Sequence, residues 1–310
     1  MIVKRDVSRR ELLAAFGALA AWPALADEQR PAVQPAISAQ PLAENAWVLT
    51  GAGCNVVALG GSEGVLLVDT GRADRIDELL GELTRASGRD PVLAINTHWH
   101  PENTGGNAAL TRRGVRVHAH ENTKLWMDTS FVIPGTTTRI ERQPREMLPT
   151  DTFLDAAIVE RGGVRLELGH LPQAHTDGDI FVRLRDPDLV AVGGLVAVDS
   201  YPTLDYATGG WIGGLVQASA ALLDMTGPRT LIVPSLGAVV GRNHLVEQHR
   251  MLTTVYERLL GLLKQGMSAR EMLAARVTKE FDERWGDPTR FVLDAYPGLW
   301  GHQNEFDGIT

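Results

Sequence analysis

The sequence predicts one α/β domain, and three observations carry that expectation. Short aliphatic runs of strand length alternate along the chain with stretches of helical periodicity, which is the pattern of sheets covered by helices. No Pro/Gly/Ser-rich linker interrupts the chain beyond residue 41, and 310 residues at 44% hydrophobic content suffice for a sizeable core. Charged residues make up 22% without low-complexity blocks, so a disordered chain is excluded. With 38 acidic against 30 basic residues, a net charge of -8 and no basic stripe, nucleic acid is not an expected partner.

Residues 1–26 read as an export signal: Ser8-Arg9-Arg10-Glu11-Leu12-Leu13, then an Ala/Leu-rich stretch to Trp22-Pro23, then Ala24-Leu25-Ala26 before the cut. The paired arginines resemble a twin-arginine signal, which implies a folded protein delivered to the periplasm. The apolar part is short for a membrane span, so no stable membrane insertion is expected after cleavage. Residues 27–41, rich in Pro, Ala and Gln, read as a linker leading to a domain over 42–310. Cys54 is the only cysteine, which excludes an internal disulfide or a cysteine-based metal site. It lies in a strand-like run and reads as a small buried hydrophobe.

In chain order, strands are expected at 46–49, 55–59 and 65–68, the last ending in Asp69-Thr70-Gly71, where the carboxylate is either a helix cap or a support for a nearby site. The glycines around Gly60-Gly61-Ser62-Glu63-Gly64 suit a hairpin turn, and no Gly-Lys-Ser/Thr follows to make a phosphate loop. Ile76, Leu79, Leu80 and Leu83 fall on one face of a helix over 74–83. A strand over 91–96 then delivers Thr97-His98-Trp99-His100-Pro101-Glu102-Asn103-Thr104-Gly105-Gly106-Asn107. Two histidines one residue apart at a strand end converge on a metal ion only if the chain bends, and Gly105 and Gly106 with Asn103 and Asn107 permit that. Alone, the pair reads equally as surface histidines near a turn.

A short helix is expected over 104–110. A strand over 115–120 follows, placing one of His118 and His120 in the interior and the other toward solvent. Residues 121–150 read as a surface excursion able to rim a pocket. Strands over 153–159 and 164–168 lead to Leu171-Pro172-Gln173-Ala174-His175-Thr176-Asp177-Gly178-Asp179, a lone histidine at a turn before a strand over 180–184. Further strands are expected at 189–192 and 230–233, with a helix over 212–225 between them. Tyr201, Tyr206 and Trp211 in the same interval are candidates for a pocket wall or for core packing. Beyond residue 245 the pattern is helical: Leu252, Val255, Leu259 and Leu263 form a core stripe, and Ser268-Ala269-Arg270-Glu271 is a capping box.

These motifs, spread over residues 42–301, resemble the metallo-β-lactamase-fold hydrolases. The resemblance implies an αββα sandwich with zinc in a cleft between its halves. His98, His100 and His175 match the family's three histidine ligands for a first zinc, a set that leaves a position open for water. The second site does not match. Glu102 stands where the family has aspartate, Asn103 where it has a further histidine, Gly194 of Val192-Gly193-Gly194-Leu195 where it has a bridging aspartate, and Leu236 of Pro234-Ser235-Leu236-Gly237 where it has the last histidine. The expectation is a hydrolase with one zinc and a small-molecule substrate: an ester, lactone, lactam or phosphoester. Glu102 would be its proton acceptor, or else a carboxylate orienting His98 or His100, and Asn103 a donor to a developing oxyanion. The alternative is a catalytically degenerate scaffold with a binding role.

Overall fold

The computed structural model describes residues 35–302, so the export signal falls outside the described residues. The strands are β1 Ser38–Ala43, β2 Ala46–Thr50, β3 Val56–Gly61, β4 Gly64–Val68, β5 Pro91–Ile95, β6 Arg116–His120, β7 Phe131–Val132, β8 Arg139–Ile140, β9 Asp151–Phe153, β10 Ala156–Arg161, β11 Val164–His170, β12 Ile180–Leu184, β13 Leu189–Gly193 and β14 Leu231–Pro234. The helices are α1 Ile76–Ser87, α2 Pro101–Thr104, α3 Asn107–Thr111, α4 Glu121–Met127, α5 Ile212–Met225, α6 Arg242–Lys264, α7 Ala269–Ala274, α8 Asp282–Trp285 and α9 Thr289–Gly301.

A seven-stranded sheet runs in the order β1-β2-β3-β4-β5-β6-β9 and a five-stranded sheet in the order β10-β11-β12-β13-β14. Alternation along each strand decides what each face meets. In β4, Leu66 and Val68 join Leu93, Ile95, Leu166, Leu168, Val182 and Ala191 in the core between the sheets. Val65 and Leu67 of the same strand point the other way, onto Leu79, Leu80 and Leu83 of α1. The far face of the second sheet, with Val190, Val192 and Ile232, packs on α5, on the α6 stripe Leu252, Val255, Leu259 and Leu263, and on the C-terminal helices. The result is the αββα sandwich that the family resemblance implies.

Several sequence expectations change at this level. The linker ends before residue 38, because Ser38–Ala43 pairs antiparallel with β2 as an edge strand. The strand expected over 153–159 is two strands in different sheets: β9 pairs with β6 and β10 with β11, and the chain crosses between sheets at Leu154-Asp155. The helix over 104–110 is two short helices, α2 and α3, separated at Gly105-Gly106. His120 is buried and His118 half-buried beside Asp151, as alternation requires. The capping box at Ser268 and Glu271 is present in both directions at the start of α7. Cys54 is buried, and burial pushes its thiol well above the ordinary range. Among the described residues no helix is long and apolar enough to cross a membrane.

Leu166 and Ile158 lie on adjacent strands of one sheet, the first wholly buried and the second 58% exposed. Leu166→Ala is expected to cost about 2–5 kcal/mol. Ile158→Ala is expected to cost under about 0.5 kcal/mol, both read from urea unfolding midpoints.

Candidate metal centre

The C-terminal ends of parallel strands converge at one edge of the sandwich. β4 delivers Asp69, β5 delivers Thr97 and His98, β13 delivers Gly193 and Gly194, and β14 delivers Ser235. Backbone hydrogen bonds seam the two halves there: Ile180 N donates to Thr97 O at 2.9 Å and Asn55 N to Ser235 O at 2.7 Å. The bend at Gly105-Gly106 arises for a reason other than the one expected. Both glycines have ordinary helical φ, but a Cβ on Gly105 would stand 2.4 Å from Ala73 N and one on Gly106 2.4 Å from Thr70 O. Close approach of the histidine loop to the 70–73 turn, rather than a left-handed backbone, is what excludes side chains at these two positions.

His98, His100 and His175 meet at this edge. Their ring centroids are pairwise 4.8 Å apart with near-perpendicular planes, and one ligating atom from each lies within 4.8 Å of the others. His98 and His175 are buried and His100 is half-buried. His98 and His100 are each hydrogen-bonded from outside through one nitrogen, while His175 has a carboxylate nearby without a hydrogen bond to it. His98 Nδ1 lies 3.0 Å from Thr97 Oγ1, and that hydroxyl donates at 2.8 Å to Asp69 Oδ2. Because the hydroxyl has a single hydrogen, already given to the carboxylate, the His98 nitrogen is the donor to it and Nε2 is left bare. His100 Nε2 is 3.0 Å from Asp205 Oδ2. His175 Nδ1 lies 3.5 Å from Asp179 Oδ1, and Asp179 also accepts from the backbone N–H groups of His175 and Thr176 at 2.6 and 2.7 Å.

The electrostatics follow from this crowding. Burial, reinforced by the neighbouring His175 and His100, holds the His98 imidazole well below its ordinary value. Burial presses His175 in the same direction, but the nearby Asp179 carboxylate outweighs it and leaves this ring above its ordinary value. Burial raises Asp205, yet the hydrogen bonds from His100 and Thr208 bring its carboxyl below the usual range. Three imidazoles gathered at one point, two of them hydrogen-bonded from outside, form a donor set suited to a divalent cation such as zinc.

Asp69 supports the site rather than capping a helix. It occupies the left-handed region at φ 64° and accepts from Thr97 N, Thr97 Oγ1 and Asn103 Nδ2. Asn103 is therefore not the oxyanion donor the sequence suggested: it is buried, and its amide N–H groups go to Asp69 at 2.7 Å and to Ser235 Oγ at 3.0 Å. Glu102 stands beside the cluster, its side chain 42% exposed and Oε1 3.9 Å from His100 Nδ1. That separation is outside hydrogen-bond range, so Glu102 does not orient the ring. Gly194 touches His175 so closely that a Cβ would lie 2.3 Å from Nδ1, and Leu236 is 62% exposed.

The aromatic residues divide differently from the expectation. Tyr201 stacks on Phe291 at 5.1 Å and donates to Asp282 Oδ1 at 2.9 Å, and Trp211 stacks on His302 at 3.8 Å. Both are buried against the helical layer, Trp211 also meeting Tyr256, and the Tyr206 hydroxyl lies near Gly301 in α9, so Tyr201 and Trp211 serve core packing. The ring adjoining the histidines is Trp99, 4.6 Å from His100, in an apolar cluster with Met127 and Leu148 against which Trp126, Phe131 and Ile140 pack. The 121–150 excursion thus reaches the site. It also grips the His175 loop: Asn122 Nδ2 donates to Asp177 O at 3.1 Å, Thr123 Oγ1 to Gly178 O at 3.0 Å and Trp126 Nε1 to Asp177 Oδ1 at 2.6 Å. Asp205, which carried no motif in the sequence, was detectable only through its contact with His100.

The model of the metallo-beta-lactamase superfamily matches residues 49–250. The chain belongs to that superfamily. This member is 24% identical over 219 residues to a metallo-beta-lactamase type 2 from Bacillus cereus, covering 68% of this chain and 80% of the relative. Its fold matches a metallo-beta-lactamase from Pontibacter korlensis with a TM-score of 0.59 at 21% identity, covering 70% of this chain and 99% of that one. It also matches a stereoselective inverting sec-alkylsulfatase from Pseudomonas sp. with a TM-score of 0.66 at 17% identity, covering 88% of this chain and 51% of that one. Membership supports a hydrolase-type function, with the three histidines as its metal site.

Two outcomes test this geometry. Burial, only partly offset by the Thr97 and Asn103 hydrogen bonds, raises Asp69 from 3.8 to about 7. A proton bound more tightly in the folded than in the unfolded state gives stability that is complete below the unfolded value and lost as pH climbs through the folded one. Asp69 should therefore cost the metal-free protein roughly 4 kcal/mol between about pH 4 and pH 7. Urea unfolding across that range should show a shallower decline for Asp69→Asn. Separately, Gly194→Ala should displace the His175 ring and weaken zinc binding on the order of tenfold or more, measured by competition with a chelator.

Proposed function

We propose that the mature protein is an exported, periplasmic hydrolase that carries one zinc ion on His98, His100 and His175 and acts on a small ester, lactone, lactam or phosphoester. The observation carrying this reading is the contrast between the two halves of the pocket. The three histidines meet at one point, while the family's other ligand positions hold a glycine with no room for a side chain, an exposed leucine and an amide committed to Asp69 and Ser235.

Zinc bound there supplies Lewis acidity, polarising the substrate oxygen and acidifying a water molecule. The chain's own residues supply orientation and proton handling. Thr97 and Asp205 hydrogen-bond His98 and His100 from outside, and Asp179 accepts from the backbone of the His175 loop, so all three ligands are held in place by residues that do not face the ion. Glu102 has no hydrogen bond to another described residue and stands nearest His100 Nδ1, where it takes the proton released from water and returns it to the leaving group. A glutamate spans one methylene more than aspartate, which suits a base beside the ion rather than a ligand on it. The Trp99 cluster offers a dry wall on the His100 side for an apolar portion of the substrate.

Metal analysis of the purified mature chain should give about one zinc per chain. On a panel of esters, lactones, lactams and phosphoesters, Glu102→Gln should lower kcat about 10²–10⁴-fold at unchanged zinc content. Two tightly held ions, or no turnover of any such substrate by the zinc-loaded protein, would overturn the reading.

A further inference from the structure

Charge around the three histidines has one sign. Glu102 Oε1 stands 3.9 Å from His100 Nδ1, Asp205 Oδ2 3.0 Å from His100 Nε2 and Asp179 Oδ1 3.5 Å from His175 Nδ1. Among the described residues, no lysine or arginine is ion-paired with any of these three carboxylates. Arg72, in the turn after β4, is close enough to feel the Glu102 charge, yet it gives Nε and Nη2 to the two oxygens of Asp74 at 2.9 and 3.0 Å. Asp294, which feels Asp205, is paired with Arg290 on the same helix. Hydrogen-bond donors beside the pocket are spent as well. Trp126 Nε1 goes to Asp177 Oδ1, Thr123 Oγ1 to Gly178 O, Trp99 Nε1 to Thr208 Oγ1, and Asn103 Nδ2 to Asp69 and Ser235.

We propose that the pocket selects acyl substrates free of negative charge, a carboxylic ester, lactone or lactam whose apolar body is uncharged or cationic, and rejects phosphoesters and carboxylate-bearing esters. This inference deepens the hydrolase reading and rests on it. A divalent ion on the histidines brings two positive charges against the three negative charges of the carboxylates, so the mouth presents no positive field. An anion entering there gives up its hydration and finds none of the groups named above free to replace what water supplied. An uncharged body meets the opposite circumstances on the His100 side, where Phe131 stands edge to face with Trp99 at 5.8 Å and with Trp126 at 5.1 Å, and Val132 is 49% exposed. A positive group is accepted too, since ring faces and carboxylates both attract it. Leu236, exposed beside the Ser235 that bonds Asn103, adds apolar surface at a position where a basic side chain would have met an anion.

The test compares 4-nitrophenyl hexanoate with the mono-4-nitrophenyl ester of adipic acid, which carries a carboxylate where the other has a methyl group, on the zinc-loaded full chain. At about pH 7 and low salt, kcat/KM should be about tenfold or more higher for the hexanoate, chiefly through KM, and the gap should narrow as added salt screens the carboxylates. Leu236→Lys should raise kcat/KM for the adipate ester about threefold or more and leave the hexanoate unchanged. A second readout needs no turnover: inorganic phosphate titrated into the zinc-loaded chain by calorimetry should show no binding tighter than about 1 mM. Equal or faster turnover of the adipate ester, or phosphate binding in the micromolar range, would overturn this inference and leave the hydrolase reading standing. If neither ester is hydrolysed, the phosphate titration alone decides the charge preference. If the chain takes up no zinc, both readings fall together.

Discussion

Three imidazoles packed with centroids 4.8 Å apart are the constraint on which the rest of this edge of the molecule depends. Two unit positive charges about 5 Å apart repel by roughly 3 kcal/mol at an effective dielectric constant of 20, and burial adds to the cost of charging either ring. The cluster therefore accommodates one positive charge and not two, whether a proton on His175 beside Asp179 or a cation shared by all three rings. For His98 and His100 the chain sets from outside which nitrogen bears hydrogen. Thr97 backed by Asp69 serves His98, Asp205 serves His100, and Asp179 stands by His175.

Those acceptors arrive from separate parts of the chain because of where the sandwich places its strand ends. β4 and β5 run parallel through α1, β13 and β14 run parallel through α5, and both pairs finish at the same edge. Open sheets of this kind gather loops at the carboxyl ends of their parallel strands. The contacts between Gly193 and Thr97, and between Asn103 and Ser235, show how little space separates the halves. Small residues at the seam are therefore packing requirements of the site.

The same seam also holds polar side chains that are not ligands. Asp69, Thr97, Asn103 and Ser235 form a buried polar cluster closed on itself by hydrogen bonds. A satisfied network of this kind is costly to open, since each freed group would be left buried and unpaired. The fold is shared with proteins described as a β-lactamase and as an alkylsulfatase, so the scaffold alone does not choose a reaction. Chemistry here belongs to the histidines, the exposed carboxylate of Glu102 and the Trp99 side of the pocket.

Most strands, the α1 and α6 faces and the α7 capping box were legible in the sequence, because period and capping depend on residues a few positions apart. His98, His100 and His175 were legible as a set through the resemblance to a known family. What the local pattern left open was decided by packing between distant segments. Asp205 meets His100 across 105 residues, Asn103 meets Ser235 across 132, and whether Tyr201 and Trp211 face a pocket or a core depends on helices that follow them. The glycines after the histidines, read from sequence as permitting a bend, serve close packing instead: their φ angles are ordinary, and the atoms that forbid a side chain belong to the turn after β4. Sequence determined which groups are available for chemistry, since composition and short-range spacing are written in it directly. Tertiary structure alone decided which of them are free and which are already bonded, because hydrogen-bond partners in a closed sandwich are set by how its layers meet.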